Sequence, residues 1–207
     1  PLQETVMTSQ NVNLAALVAA AGQRWHDRLA LGVPTDTSGT RHRKVTFGEL
    51  VDLVEQRAAL LREMGIGDGD RVLLMVPMSV ELYAFLLATW TIGGVAVFID
   101  PWMGLDNLAM ATSKVKPKIF IGTSAAQLLR WRVPALREVP LAIGVGSVAK
   151  LLQRRRLVGS IAERHRDDVA LITFTTGSSG TPKGSARTHG HLLAQHQVLH
   201  DVMGPKP

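Results

Sequence analysis

Val169-Ala170-Leu171-Ile172-Thr173-Phe174-Thr175-Thr176-Gly177-Ser178-Ser179-Gly180-Thr181-Pro182-Lys183-Gly184 is the stretch on which the reading of the fold turns. Residues 169–174 are apolar or β-branched and read as a buried strand. They run without a break into residues 175–184, which are Gly, Ser and Thr with one proline and one lysine. A strand that feeds such a loop is what an open α/β sheet uses to present a ligand site at the carboxyl ends of its strands.

Upstream, the same kind of strand recurs. Residues 71–76, 95–99, 118–122 and 141–145 are short apolar runs, the form expected of strands buried on both faces of a parallel sheet. Helical patterns separate them. Thr46-Phe47-Gly48-Glu49 matches a capping box, and the helix it opens is expected to stop at Gly65. Ser79 is placed to cap a helix to about Trp90, and weaker helical patterns cover residues 105–114 and 125–131. Residues 13–29 also have helical spacing, with a turn at Thr37-Ser38-Gly39, and a last helix is expected over 191–202. Strands alternating with helices at this spacing mean βαβ units. The expected fold class is therefore α/β, a mostly parallel sheet flanked by helices.

Composition narrows the chemistry. With 46% hydrophobic and 19% charged residues, a packed core is expected and global disorder is not. The chain has no cysteine, which excludes disulfides, thiolate metal sites and a cysteine nucleophile. It also fits a reducing compartment, and a cytoplasmic setting is expected. The formal charge of +6 is spread out, its densest cluster being Arg154-Arg155-Arg156. Basic and aromatic residues do not alternate, so a solvated basic face is expected and no nucleic-acid partner. Residues 82–99 carry no charge, at the threshold of roughly 18 for a membrane span. Gly93-Gly94 divides them into a helix and a strand, so no transmembrane segment is expected.

The loop suits polyphosphate. Gly177, Gly180 and Gly184 let backbone N–H groups approach an anion closely and accommodate positive φ. Thr175, Thr176, Ser178, Ser179 and Thr181 supply hydroxyls, and Lys183 a mobile ammonium. It is not a Walker A loop, because Pro182 and Gly184 stand where that motif has Gly and Ser or Thr. Three other patterns compete less well. Gly144-Val145-Gly146-Ser147-Val148-Ala149 follows a strand like a dinucleotide fingerprint, but the acidic residue about twenty positions on is missing. His189, His191, His196 and His200 cluster near the end, and His196 and His200 lie one helical turn apart, but without an H-E-x-x-H pattern they read as ordinary helix-start and surface histidines. Arg187 either adds charge to the loop or is an exposed strand residue. No G-x-S-x-G elbow supports serine-hydrolase chemistry.

The run Thr175-Thr176-Gly177-Ser178-Ser179-Gly180-Thr181-Pro182-Lys183-Gly184 is similar to the signature loop of the adenylate-forming superfamily. That superfamily comprises acyl-CoA synthetases, nonribosomal-peptide adenylation domains and luciferases. Further segments resemble it in the same order: Val45-Thr46-Phe47-Gly48-Glu49-Leu50, Gly67-Asp68-Gly69-Asp70-Arg71-Val72, residues 88–101, and Asp167-Asp168-Val169-Ala170. Ile99-Asp100-Pro101-Trp102-Met103-Gly104-Leu105 and Lys116-Pro117-Lys118-Ile119-Phe120-Ile121-Gly122 most resemble a bacterial fatty-acyl-CoA-ligase-like subgroup. It includes the olefin-pathway enzymes that turn long β-hydroxy acids into β-lactones.

The resemblance implies an ATP-dependent ligase that forms an acyl-adenylate and releases pyrophosphate. Thr175, Thr176, Gly177, Ser178, Ser179, Gly180, Thr181 and Lys183 would cradle the β and γ phosphates of ATP, with Mg²⁺ sharing the charge. The implied partner is a small carboxylic acid of aliphatic type. The acceptor is left open between coenzyme A, a carrier protein and an internal hydroxyl. Residues 1–165 would form the first α/β subdomain of a large N-terminal domain. Residues 166–207 would carry the strand, the phosphate loop and the start of the next. The family's adenine-binding aromatic segment, metal-binding Glu, ribose-binding Asp and mobile C-terminal lysine have no counterpart here. No catalytic residue is therefore assigned, and the chain is expected to be a fragment, inactive by itself in adenylation. The alternative is a non-catalytic nucleotide- or anion-binding α/β module.

Overall fold

The computed structural model describes residues 12–34, 38, 40–148, 159–176 and 181–204. The chain opens with helix α1 (Leu14–Arg24), whose N-cap Asn13 accepts a hydrogen bond from the Ala15 N–H at 3.0 Å. Two antiparallel strands follow, β1 (Leu29–Pro34) and β2 (His42–Thr46). Sequence spacing had suggested helix as far as Leu29. The helix instead ends at Arg24, and Leu29 begins a strand. Of the expected turn at Thr37-Ser38-Gly39, Ser38 is in a turn, while Thr37 and Gly39 lie outside the described residues.

Thr46 closes β2 and caps helix α2 (Phe47–Glu63). Its Oγ1 accepts from the Glu49 N–H at 3.2 Å, and the Glu49 Oε2 accepts from the Thr46 N–H at 2.9 Å. This is the reciprocal capping box expected from Thr46-Phe47-Gly48-Glu49. Gly65, at φ +75°, ends that helix in the left-handed conformation open to glycine.

The remainder alternates. Strand β3 (Arg71–Met75), helix α3 (Val80–Thr91), strand β4 (Val95–Ile99), helix α4 (Leu105–Val115) and strand β5 (Ile119–Gly122) come first. Helices α5 (Ser124–Arg132) and α6 (Pro134–Arg137) precede strand β6 (Leu141–Gly144). Strands β7 (Val169–Thr176) and β8 (Pro182–Thr188) then lead into helix α7 (His189–Met203). The six-stranded sheet runs β6-β5-β3-β4-β7-β8. All neighbours are parallel except the last pair, which is antiparallel.

Alternate residues of each strand feed two separate cores. Val72, Leu74, Ile119 and Ile121 pack with Leu61 and Phe85 under α1, α2 and α3. Leu73, Met75, Val97 and Phe120 pack with Leu108 and Leu136 under α4, α5 and α6. Both Phe85 and Phe120 are fully buried, and side chains of that kind each contribute about 1.5–3 kcal/mol by leaving water. Because α3 covers one face and α4 the other, the crossovers leaving β3 and β4 diverge. The crossover leaving β5 also lies on the face of α4, so β3 is flanked on both sides by strands whose connections leave to the opposite face. The crevice at its carboxyl end is the kind of switch point at which open α/β sheets bind ligands. The uncharged run 82–99 is divided between α3 and β4, and no helix is long and apolar enough to cross a membrane.

Candidate functional site

β7 is the last parallel strand, and it carries the expected loop at its carboxyl end. It is longer than the sequence suggested, reaching Thr176. The chain returns as β8, so Pro182-Lys183-Gly184, read as the end of the loop, is strand. The sequence concealed this because β8 is polar and mostly exposed, without the apolar alternation that marks a strand. Of the candidate phosphate-binding residues, Thr175, Thr176, Thr181 and Lys183 are described, whereas Gly177, Ser178, Ser179 and Gly180 lie outside the described residues.

The hairpin brings the two arms of the loop together. Lys183 is paired with Thr175, and Pro182 with Thr176. Thr175, Thr181 and Lys183 are exposed. Two hydroxyls and an ammonium thus lie together at the loop end of the hairpin, a set matched to phosphate oxygens. Gly184 has a different reason from the one read in the sequence. Its φ is not positive; rather, a Cβ there would lie 3.0 Å from Phe174 Cε1. A side chain there would have to push the Phe174 ring aside by a few tenths of an ångström. Arg187 proves to be a strand residue. It is half-buried, and its Nη1 makes a long contact of 3.5 Å with Thr173 Oγ1.

Beside the hairpin lies a cavity of about 830 Å³, which sequence reasoning did not find. It opens at the switch point, among the carboxyl ends of β3, β4, β5 and β7. Met75, Val76 and Pro77 form one wall, and Phe98, Ile99 and Asp100 another. Leu129 of α5, Thr173 and Phe174 of β7, and Trp102 complete it. The lining is mainly apolar, with hydroxyls at Thr123 and Thr173 and a carboxylate at Asp100. Asp100 Oδ1 accepts from the Trp102 N–H at 2.9 Å. Its size and lining are those of small-molecule sites. A smaller cavity of about 270 Å³, between β2 and α2, lies away from the loop.

Behind the hairpin is a buried polar corner, also missed. His189, the first residue of α7, is fully buried. Its Nδ1 accepts from the Leu14 N–H at 3.4 Å, while its Nε2 has no partner. Its ring meets Trp90 edge-on at 6.0 Å. Burial, and secondarily the nearby Arg164 guanidinium, lower its pKa to about 4 against the opposing pull of Asp168. The ring is therefore neutral at pH 7. Arg164 is ion-paired with Asp68 and, at 3.6 Å, with Asp168. The signal for this corner lay in Thr188-His189 ahead of an apolar helix, but a surface histidine leaves the same trace in a sequence.

The competing patterns resolve as local structure. Val145–Ser147 is a turn of 3₁₀ helix, and Ala149 lies outside the described residues. Arg154-Arg155-Arg156 also lies outside them. His196 and His200 have ring centroids 6.4 Å apart on an exposed stretch of α7. Among the described residues, no group of three or more His, Asp or Glu could hold a metal ion.

Comparison with known proteins agrees with this geometry. The family model of AMP-binding enzymes matches residues 18–206. The olefin beta-lactone synthetase of Xanthomonas campestris pv. campestris is 31% identical, the match covering 94% of this chain and 37% of that protein. The p-hydroxybenzoic acid–AMP ligase FadD22 of Mycobacterium tuberculosis is likewise 31% identical, over 89% of this chain and 24% of its own length. The chain therefore spans well under half of these relatives. The structure of ATP-bound MatB from Rhodopseudomonas palustris superposes with a TM-score of 0.77 at 25% identity, covering 92% of this chain and 37% of that one. A match over this much of the chain shows that the chain belongs to the AMP-binding enzyme family.

Proposed function

We propose that this chain supplies the ATP-phosphate site of a ligase that activates a carboxylic acid as its acyl-adenylate. The observation that carries the reading is the pairing of Lys183 with Thr175 at the loop end of the β7–β8 hairpin, at the carboxyl ends of the parallel strands. The phosphate-binding set is Thr175, Thr176, Gly177, Ser178, Ser179, Gly180, Thr181 and Lys183. In the reaction a carboxylate oxygen attacks the α-phosphorus of ATP. The Pα–O bond to the β-phosphate breaks, and pyrophosphate leaves. Charge accumulates on the departing oxygens, and the Lys183 ammonium with the hydroxyl donors stabilises it there. Mg²⁺ accompanies ATP, and no protein ligand for it is assigned. The apolar cavity beside the hairpin favours an aliphatic acid, with coenzyme A as one acceptor.

The test is binding and exchange. The chain is expected to bind Mg·ATP, and Lys183→Ala to weaken that binding about 10- to 100-fold, the loss of one charged hydrogen-bond donor. In the complete ligase the same substitution is expected to depress ATP–pyrophosphate exchange at least as far. Exchange at the wild-type rate in that variant would remove Lys183 from the site. Pyrophosphate release by the 207-residue chain alone would overturn the expectation that it is inactive by itself.

A further inference from the structure

Strand β8 has little in its own composition to fix its pairing. Lys183, Gly184, Ser185 and Ala186 are all exposed, and a strand polar on both faces specifies its register weakly. The register nevertheless matters. A slip of one residue would send Lys183 to the opposite face of the sheet, away from Thr175.

The pairing contains one irregularity. From Leu171–Arg187 to Thr176–Pro182 the two strands are in continuous register, but Val169 pairs with Thr188, so Ala170 is an extra residue on β7. Such a bulge shifts every pair beyond it by one position. The bulge lies at the buried corner described above. Trp90 Nε1 donates to the Ala170 carbonyl at 2.8 Å, satisfying a group that a bulge exposes. Trp90 in turn meets the His189 ring. The His189 N–H donates to the Asp168 carbonyl at 2.9 Å, and His189 Nδ1 accepts from Leu14. The last residue before β7 and the first after β8 are thus clamped together, two residues from the bulge.

We infer that His189 is a positioning residue: buried against Trp90 and bonded to Leu14, it holds the Ala170 bulge in place and so sets the register that puts Lys183 opposite Thr175. It touches no substrate. Its consequence for nucleotide rests on the function proposed above, but the register itself does not.

The chain has no cysteine, so a pair of introduced thiols reports register directly. Ile172→Cys with Ala186→Cys reads the native pairing. Ile172→Cys with Ser185→Cys reads the pairing without the bulge. Mild oxidation of each double variant, scored by intact mass, is expected to give mainly the 172–186 disulfide. Adding His189→Ala is expected to lower the ratio of 172–186 to 172–185 product about tenfold or more, the effect of stranding one buried N–H at Leu14. Adding His189→Asn, whose Oδ1 replaces Nδ1 as acceptor, is expected to restore the wild-type ratio. An unchanged ratio in folded His189→Ala overturns the inference. Should His189→Ala not fold, His189→Leu, which fills the site but offers Leu14 no acceptor, takes its place: a lowered ratio upholds the inference and an unchanged one overturns it. Mg·ATP affinity is expected to follow the ratio across the same variants. If the wild-type chain binds no Mg·ATP, the proposed function fails while the disulfides still decide the register.

Discussion

At the scale of single residues, His189 makes stability depend on pH. In the folded chain its pKa is lowered to about 4, while an unfolded histidine titrates near 6.5. The folded state thus prefers the neutral ring, and between those values only the unfolded chain takes up the proton. The contribution is complete above pH 6.5 and is lost as pH falls through about 4. Full loss is worth about 3 kcal/mol. Urea unfolding at pH 7 and pH 4.5 measures it. Carboxylates elsewhere also titrate in that range, so the expected result is a difference: His189→Asn loses less stability on acidification than wild type. Equal losses would show that the ring is not held neutral by the fold.

Among the elements, the helices and parallel strands were legible because burial writes itself into sequence. β3 and β4, covered on both faces, are apolar without alternation, and α2 announces its start through Thr46 and Glu49. Thr46→Ala removes the hydroxyl half of that capping box and is expected to lower stability by about 1 kcal/mol, measurable by chemical denaturation. The elements that escaped notice were β1, β8 and all of β2 but its junction with α2 at Val45-Thr46, and their residues are largely exposed. They are strands because a neighbour supplies hydrogen bonds, a fact no single segment encodes. The same limit applies to the site. Thr175 and Lys183 could be listed from the loop, but their pairing depends on β8. The cavity could not be found, since its walls come from four strands distant in sequence. His189 was read as one of a set of helix-start and surface histidines; it does start α7 but is fully buried, and burial belongs to the assembled corner.

For the whole molecule, the governing fact is a sheet that separates two cores. Phe85 packs in one and Phe120 in the other. Phe85→Leu and Phe120→Leu are therefore expected to add, the double variant losing the sum of the single losses within about 0.5 kcal/mol. A coupling above about 1 kcal/mol would mean that the sheet transmits packing strain from one face to the other. The same partition explains the location of the cavity, because crossovers that diverge to opposite faces leave the switch point uncovered.

The connection between β6 and β7 carries a kinetic consequence. β3, β4, β5 and β6 follow one another closely in the chain, so their parallel unit closes only modest loops. β7 must find β4 across a long stretch, pairing Ala96 with Leu171. Loop closure of that span is entropically the costliest pairing in the sheet. β7 and β8, by contrast, are neighbours and can zip locally. The hairpin that carries Lys183 is therefore expected to dock late, as a unit, onto the scaffold of β3 to β6, and its amides to exchange hydrogen sooner than those of β3 and β5.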